Sequence, residues 1–329
     1  MKRPSIECSD CEQLDRRLFL KSVAAATVAG IAMPMFVGQA GLFAAPSAKS
    51  TAETAVGRFF MSLSAEQKKA VCFPFEHELR KKINANWNIT KPKVGDSFYS
   101  KEQQALVSEI VRNVTSEDGY DRFIKQMKDD SGGIGDYSVA VFGEPGSGAF
   151  EWELTGRHLT LRADGDSVDQ AAFGGPIVYG HGEEDPKENL FLYQTKQVNE
   201  VFKALDAKQA ATALVAKAPG EAAVALQGEK GTFPGIGVGQ LSADQKQLVT
   251  KTIQVLLAPY RQEDSDEAMA ILKASGGLDQ LHMAFYQQED LQNDKVWDIW
   301  RVEGPSFVWH FRGAPHVHAY INIGMAKKG

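Results

Sequence analysis

This sequence has few cysteines and no excess of positive charge. It has three cysteines in 329 residues, and Cys8 and Cys11 stand near the N-terminus, before a paired-arginine export motif. If that segment is removed, only Cys72 remains, so the mature chain cannot form an intrachain disulfide. The formal net charge of −6 gives no basic surface of the kind that contacts a phosphate backbone. We therefore expect neither a disulfide framework nor a nucleic-acid partner.

Several well-known catalytic motifs are also missing. The sequence contains no Gly-x-Ser-x-Gly turn, no Walker phosphate-binding loop and no pair of Cys-x-x-Cys motifs. The glycines at positions 235, 237 and 239 follow no strand pattern and indicate an ordinary loop. Hydrolysis by a serine nucleophile therefore has no local support. What the sequence does contain is a composition, 43% apolar and 24% charged, that is typical of a globular protein.

The N-terminal segment is predicted to be an export leader rather than part of the fold. Arg16 and Arg17 are followed by Leu-Phe-Leu-Lys and then by an alanine-rich apolar run from Ser22 to about Phe36. This pattern resembles a twin-arginine signal, and the run is too short for a comfortable membrane span. We expect residues 1–45 to be recognised by the Tat translocase and cleaved, which leaves a periplasmic or extracellular protein with no stable membrane anchor. The alternative is an uncleaved anchor.

A helix-start pattern recurs four times along the rest of the chain. Each copy has Ser or Asp followed three residues later by Gln, which is typical of a capping box at a helix N-terminus. The two copies in each half of the chain are 36 residues apart, and the second pair follows the first by 142 residues. The four copies are Ser64 with Gln67, Ser100 with Gln103, Asp206 with Gln209, and Ser242 with Gln245.

Strand patterns of similar layout follow each pair of capping boxes. Residues 137–142 and 150–156, joined by a glycine-rich turn, predict an antiparallel hairpin, and a comparable pattern follows the second pair. We therefore predict an α+β fold in which a unit of two capped helices and an antiparallel β-hairpin is duplicated. The two halves, about 54–190 and 191–326, would pack as one body in a single domain, residues 46–329. Chance recurrence of a common helix cap is the alternative.

Two further patterns concern the helices and the core. The alanine-rich stretch from Val201 to Gln227 is predicted to be helical. Trp152, Trp300 and Trp309 lie in the predicted strands, and we expect them to fill the core between sheet and helices.

Histidines near the C-terminus suggest a metal site. His316 and His318 are two residues apart, so on an extended strand both rings leave the same face. If the two halves pair across a pseudo-twofold axis, His158 and His310 would converge with them, and His181 is a weaker further candidate. Clustered imidazoles suit copper, zinc or iron. The alternative is a network of hydrogen-bonded histidines, or a proton-transfer pair without metal.

Two arginines flank the same histidines. In a neutral pocket, Arg157 and Arg312 would bind the carboxylate or phosphate of a small molecule in bidentate fashion. The alternative is a salt bridge to Glu303 or Glu153.

A family resemblance covers the chain from roughly Phe59 to Gly324. The sequence resembles the uncharacterised family known as domain of unknown function 3500. The residues that carry the resemblance are Ser62–Gln67, Phe73-Pro-Phe75, Trp87, residues 137–143, Gly156-x-His158-Leu159, Phe173-Gly174, Pro176, Gly304-Pro305-Ser-Phe307 and His316-Val-His318.

The resemblance carries over to the histidines only in part. The family has a Gly-His-His-Leu pattern where this chain has Arg157 followed by His158, so only the second histidine is matched. Its terminal His-x-His corresponds to His316 and His318, and an acidic residue common before that motif is replaced here by His310. The resemblance implies that the histidine cluster belongs to the family pattern, and it implies no established activity.

Two functions are therefore compatible with the sequence, besides a purely structural role in which neither a metal nor a small ligand would change the melting temperature. The first is an exported protein that binds a transition metal through His158, His316 and His318. With an open coordination position it would be a metalloenzyme, in which His310 is a fourth ligand or an acid/base and Arg157 orients an anion. The second is a non-catalytic periplasmic protein that binds a small anion between the two halves. The sequence does not decide whether the protein is an enzyme.

Overall fold

The computed structural model describes residues 45–288, 290 and 294–326. These residues form an α+β fold, as the sequence predicts, with eight α-helices and one mixed sheet of eleven strands. Residues 1–44 of the predicted leader lie outside the described residues. The helices are α1 (Thr51–Ser62), α2 (Ala65–Val71), α3 (Lys101–Asn113), α4 (Glu117–Ser131), α5 (Leu192–Lys203), α6 (Ala207–Ala213), α7 (Ala243–Leu257) and α8 (Gln262–Ala274). The strands are β1 (Cys72–Phe73), β2 (Ser138–Gly143), β3 (Phe150–Gly156), β4 (Leu159–Ala163), β5 (Ile177–His181), β6 (Leu214–Val215), β7 (Ile236–Gly237), β8 (His282–Tyr286), β9 (Ile299–Gly304), β10 (Phe307–Arg312) and β11 (Val317–Ile323).

The strand order brings the two halves of the chain together at the middle of the sheet. The order is β1-β2-β3-β4-β5-β11-β10-β9-β8-β6, and β7 pairs with β8. The outer pairs β1–β2 and β6–β8 are parallel, and all other pairs are antiparallel. Strand β5 of the first half therefore lies beside β11 of the second. The order runs similarly from either end of the sheet, while the duplication of one ancestral unit stays a prediction.

The four predicted capping boxes are all present, at the starts of α2, α3, α6 and α7. The two boxes of each half also bind each other. The side-chain amides of Gln67 and Gln103 exchange hydrogen bonds of 2.8 and 3.0 Å, and those of Gln209 and Gln245 exchange bonds of 3.1 and 2.7 Å. The equal spacing of 36 residues thus places two helix N-termini side by side in each half.

One face of the sheet packs against the helices and forms the main core. Trp152, Trp300 and Trp309 are fully buried there, as predicted. Strand alternation places Leu159 and Leu161 in the same core, and burial of such apolar surface is the main stabilising contribution to folding. Within the described ranges, no helix is both long and apolar enough to cross a bilayer.

The opposite face of the sheet is covered by two long segments without α-helix. We call residues 74–99 the first cover segment and residues 216–235 the second. Ala85 of the first and Val224 of the second pack on the sheet with Val178, Val308 and Tyr320. Side chains of the strands also bind their backbones: the Asn322 amide donates to the Val224 carbonyl at 2.9 Å, and Arg301 donates to the Ala223 carbonyl.

The helix predicted from Val201 to Gln227 is wrong in its second part. Helix α6 ends at Ala213, strand β6 follows, and the chain then runs as the second cover segment. The chain leaves the helix at Leu214 because residues 214 and 215 pair with β8, and Pro219 and Gly220 then prevent the helix from resuming. This difference affects the site, because the segment carries Glu221.

Candidate metal centre

Two β-turns bring three histidines together on the covered face of the sheet. His158 lies in the turn between β3 and β4, His316 in the turn between β10 and β11, and His318 on β11. One ring nitrogen of each lies within 4.8 Å of the other two, and the ring centroids are 4.7 to 5.1 Å apart. We call these residues the histidine triad. The convergence of these three predicted residues is therefore observed.

The backbone holds His158 in an uncommon conformation. Its φ of 57° lies in the left-handed region, where histidine is more frequent than most residues. The His158 amide donates to the Ala85 carbonyl of the first cover segment at 2.6 Å. The imidazole then extends over β5 at Gly180, where a Cβ would lie 3.1 Å from the Cβ of His158 and 2.3 Å from the Val317 carbonyl oxygen. Glycine at this position leaves the room that the ring needs.

The other two histidines come from the β10–β11 hairpin. His318 is paired with Arg312 on β10 and with Gly180 on β5. His316 precedes β11 by one residue, so it does not share the strand as predicted. The rings of His316 and His318 nevertheless lie on the same side, at 4.7 Å with an interplanar angle of 76°.

Two carboxylates orient two of the three imidazoles. Asp130, at the end of α4, binds His158 Nδ1 through Oδ2 at 2.8 Å and accepts the Gly182 amide through Oδ1 at 2.8 Å. Glu221 binds His318 Nδ1 through Oε2 at 2.8 Å. Because each Nδ1–H donates to a carboxylate, the Nε2 of each neutral ring carries a free lone pair. Carboxylates in this position are typical of histidines that ligate a metal.

The charges of the site favour neutral imidazoles and ionised carboxylates. Burial, assisted by His318 and Arg312, lowers the pKa of His316 to about 4. Burial also lowers the pKa of His318, although its hydrogen bond to Glu221 opposes the shift. Burial alone would raise the pKa of Asp130 and of Glu221, but hydrogen bonds from their histidine partners outweigh it and both pKa values are lowered. At neutral pH, His316 and His318 are therefore available as ligands.

A close nitrogen–nitrogen contact joins His316 to His318. The two Nε2 atoms are 3.0 Å apart, and Arg312 Nη2 lies 3.3 Å from His316 Nε2. With a lone pair on both nitrogens this contact is repulsive, and a proton on His316 Nε2 would instead face the Arg312 N–H donor, so the two contacts cannot both be hydrogen bonds. A metal ion held by both imidazoles would satisfy these lone pairs without a proton.

The structure does not bring His181 or His310 into the triad. His181 Nε2 faces Asp129 at 3.3 Å, and its Nδ1 accepts the Leu190 amide at 3.3 Å. His310 lies on β10, where burial, assisted by the neighbouring Arg301, lowers its pKa to about 3. Its ring is 1% exposed, and its Nδ1 has no hydrogen-bond partner among the described residues. The roles predicted for both residues stay predictions.

The two predicted anion-binding arginines differ in their surroundings. Arg312 is paired with Glu221 at 2.8 Å, not with Glu303 or Glu153, the alternatives that the sequence suggests. Arg157 is exposed, and its guanidinium makes no hydrogen bond or ion pair within the described part of the chain.

Sequence reasoning missed Asp130, Glu221 and Gly180. Asp130 contacts a histidine 28 positions away, and Glu221 contacts one 97 positions away. Local periodicity carries no signal for such pairs. A break at Pro219 and Gly220 was the one available indication that Glu221 leaves the helix.

The fold and the site together define a class of protein. It is an α+β protein with one mixed sheet, in which a three-histidine cluster lies where the two halves of the chain meet. More particularly, the chain belongs to the family described as "Protein of unknown function (DUF3500)", whose model matches residues 46–322. Comparisons with curated proteins and with solved structures gave no match. The family description names no activity, so the function has to be argued from the site.

Proposed function

We propose that this protein binds a transition-metal ion through His158, His316 and His318. The single observation that supports the proposal most is the pair of carboxylates, Asp130 and Glu221, that fix the Nδ1–H tautomer of His158 and His318. The Nε2 lone pairs of His158 and His318 are thereby held close together. Neutral imidazole nitrogens are good ligands for copper, zinc and iron.

The ligand set leaves a coordination position for water or substrate. A metal with three protein ligands and one open position supplies Lewis-acid or redox chemistry when bound. The residues of this chain would orient the ion and keep the imidazoles neutral, since burial lowers the pKa of His316 and of His318. In this proposal the protein is a metalloprotein, and catalysis would follow from a substrate that reaches the open position.

Metal analysis of purified protein tests this proposal. The untagged protein is analysed by elemental mass spectrometry beside the variant His316→Ala/His318→Ala. We expect near-stoichiometric copper, zinc or iron in the wild type and none in the double variant. His282→Gln is the matched control, because His282 packs against Phe233 outside the triad. Equal metal content in wild type and double variant would contradict the proposal.

A second candidate function, binding of a small anion without metal, is favoured by one observation. The guanidinium of Arg157 is exposed and unpaired among the described residues. If carefully purified protein contains no metal and takes up none, and its melting temperature rises with acetate or phosphate, the protein is a non-catalytic binder. The histidines would then act as hydrogen-bonding groups.

We also propose export by the twin-arginine route, followed by cleavage of the leader. This proposal is supported by Arg16 and Arg17 and by the apolar run that follows them. Cell fractionation of Arg16→Lys/Arg17→Lys beside the wild type is the test. We expect the wild type in the periplasm or medium and the variant in the cytoplasm, and equal distribution would contradict the proposal.

A further inference from the structure

Arg157 differs from the other arginines on the covered face of the sheet. Each of those has a carboxylate partner: Arg162 pairs with Glu151 and Glu153, Arg301 with Glu303, and Arg312 with Glu221. The guanidinium of Arg157 has no such partner among the described residues. Its positive charge is therefore available for a molecule from solution.

The backbone fixes Arg157 beside the triad. Its carbonyl oxygen accepts hydrogen bonds from Tyr137 Oη at 2.5 Å and from Gln126 Nε2 at 3.0 Å, and residue 157 forms a β-bridge with Asn86. A residue held in this way presents its side chain from a rigid base, which lowers the entropy cost of binding a ligand.

A glycine keeps space open between the guanidinium and the imidazole. A Cβ on Gly182 would lie 2.6 Å from Asp130 Oδ1, 3.3 Å from Arg157 Nη2 and 3.4 Å from His158 Cε1. The Asp130 oxygen already accepts the Gly182 amide. The absence of a side chain at Gly182 thus leaves both groups facing the same small volume.

Charge balance indicates what the site would take. Asp130 and Glu221 supply two negative charges, and Arg157 and Arg312 supply two positive charges. A divalent ion held by neutral imidazoles would leave the site with an excess of positive charge. An anionic ligand removes that excess, and a guanidinium is well matched to the two oxygens of a carboxylate or phosphate.

We propose that the histidine triad and Arg157 form one oxyanion site, in which the guanidinium and the open position of the metal bind the carboxylate or phosphate of a small molecule. This inference rests on the proposed metal site and names the class of its ligand. Two positively charged groups would hold the anion: the guanidinium through its N–H donors and the metal ion through its open coordination position.

Calorimetric titration of the metal-loaded protein with acetate and with inorganic phosphate tests the inference. We expect the wild type to bind at least one of the two. The anion that binds with the lower Kd shows whether the site prefers a carboxylate or a phosphate. Arg157→Gln should bind it at least tenfold more weakly with unchanged metal content, and Arg157→Lys should lie between the two. Arg58→Gln is the control, because Arg58 is an exposed arginine on α1 that pairs with Glu109.

The outcomes separate the two proposals. If neither anion binds, or if Arg157→Gln binds as tightly as the wild type while it retains metal, the oxyanion site is overturned and the metal site stands. If the wild type takes up no metal, or the triad variant retains it, the metal site fails. An anion that binds the metal-free protein and the metal-loaded protein equally would also overturn the combined site.

Discussion

Asp130 and Glu221 determine which nitrogen of two imidazoles is free. Replacing Asp130 with Asn keeps the size of the side chain but removes the charge that holds His158 Nδ1–H. We expect Asp130→Asn to weaken metal binding by about 10- to 100-fold, as losses of such partners generally do. Competition with a coloured chelator measures the change. Asp129→Asn is the control, because Asp129 contacts Lys125 and His181 but not the triad. Equal affinity of both variants would show that Asp130 does not orient a ligand.

A different residue makes folding stability depend on pH. Burial, with neighbouring Asp164 and Asp264, raises the pKa of Glu267 to about 8. The folded state therefore binds a proton that the unfolded state has lost, and the free energy of unfolding falls as pH rises from about 4.5 to about 8. Glu267→Gln removes the contribution of this residue to the pH dependence, while burial also raises the pKa of Asp164 to about 7 and that of Asp264 to about 6. We expect the variant to be more stable than the wild type by about 2 kcal/mol at pH 9 and little different at pH 4.

Urea unfolding at pH 4, 7 and 9 measures the effect of Glu267→Gln. Glu66→Gln serves as the control, because Glu66 is exposed on α2 and makes an ion pair with Lys69 only three residues away. A stability difference that stays constant across this pH range would contradict the assignment of the raised pKa to Glu267.

At the scale of elements, strand β5 lies between the turn that carries His158 and the hairpin that carries His316 and His318. It needs a residue without a side chain where the His158 ring crosses it. Gly180 is that position, since a Cβ there would lie 2.3 Å from the Val317 carbonyl oxygen and 3.1 Å from the Cβ of His158. We expect Gly180→Ala to lower the free energy of unfolding by about 1–3 kcal/mol and to reduce metal content, because the strands and the ring must shift. Chemical denaturation and elemental analysis measure the two effects.

Gly57→Ala provides the comparison for Gly180→Ala. Gly57 lies inside α1, and a Cβ there would meet no atom within 4 Å. Alanine should therefore leave stability unchanged or raise it by up to about 1 kcal/mol, since alanine is the better helix former. If both substitutions had the same effect, close packing at Gly180 would not be the cause.

The elements also show how much of the fold the sequence predicts. The capping boxes predict four helix starts, because each box is a local pattern whose hydrogen bonds stay within four residues. The course of residues 214–227 was not predicted, because packing against the sheet and the Pro219–Gly220 break outweigh the helical tendency of alanine.

The candidate site was predicted to a smaller extent. The spacing of His316 and His318 predicts that their rings are neighbours, and the similar layout of the two halves predicts that His158 faces them. The orienting carboxylates come from the end of α4 and from the second cover segment. Their contacts depend on the final packing of distant elements, and a single sequence does not contain that information in any local pattern.

For the whole molecule, a bound ion should appear as added thermal stability. A ligand at 100 times its Kd stabilises the folded state by about 2.7 kcal/mol when the unfolded chain does not bind it. For a chain of this size, that free energy corresponds to a rise in Tm of roughly 4–5 °C. We expect added metal to raise the Tm and a chelator to reverse the rise. A rise of equal size in His316→Ala/His318→Ala would show that the ion acts elsewhere.

The proposed metal ligands lie far apart in the sequence, and this separation affects when a metal ion can bind. His158 and His318 are 160 positions apart, and they meet only after β5 and β11 have paired. An unfolded chain offers the ion little more than the short His316-Val-His318 segment, so tight metal uptake has to follow folding. If the chain binds the proposed metal, the metal content of a preparation would then report the fraction of molecules in which the two halves have paired.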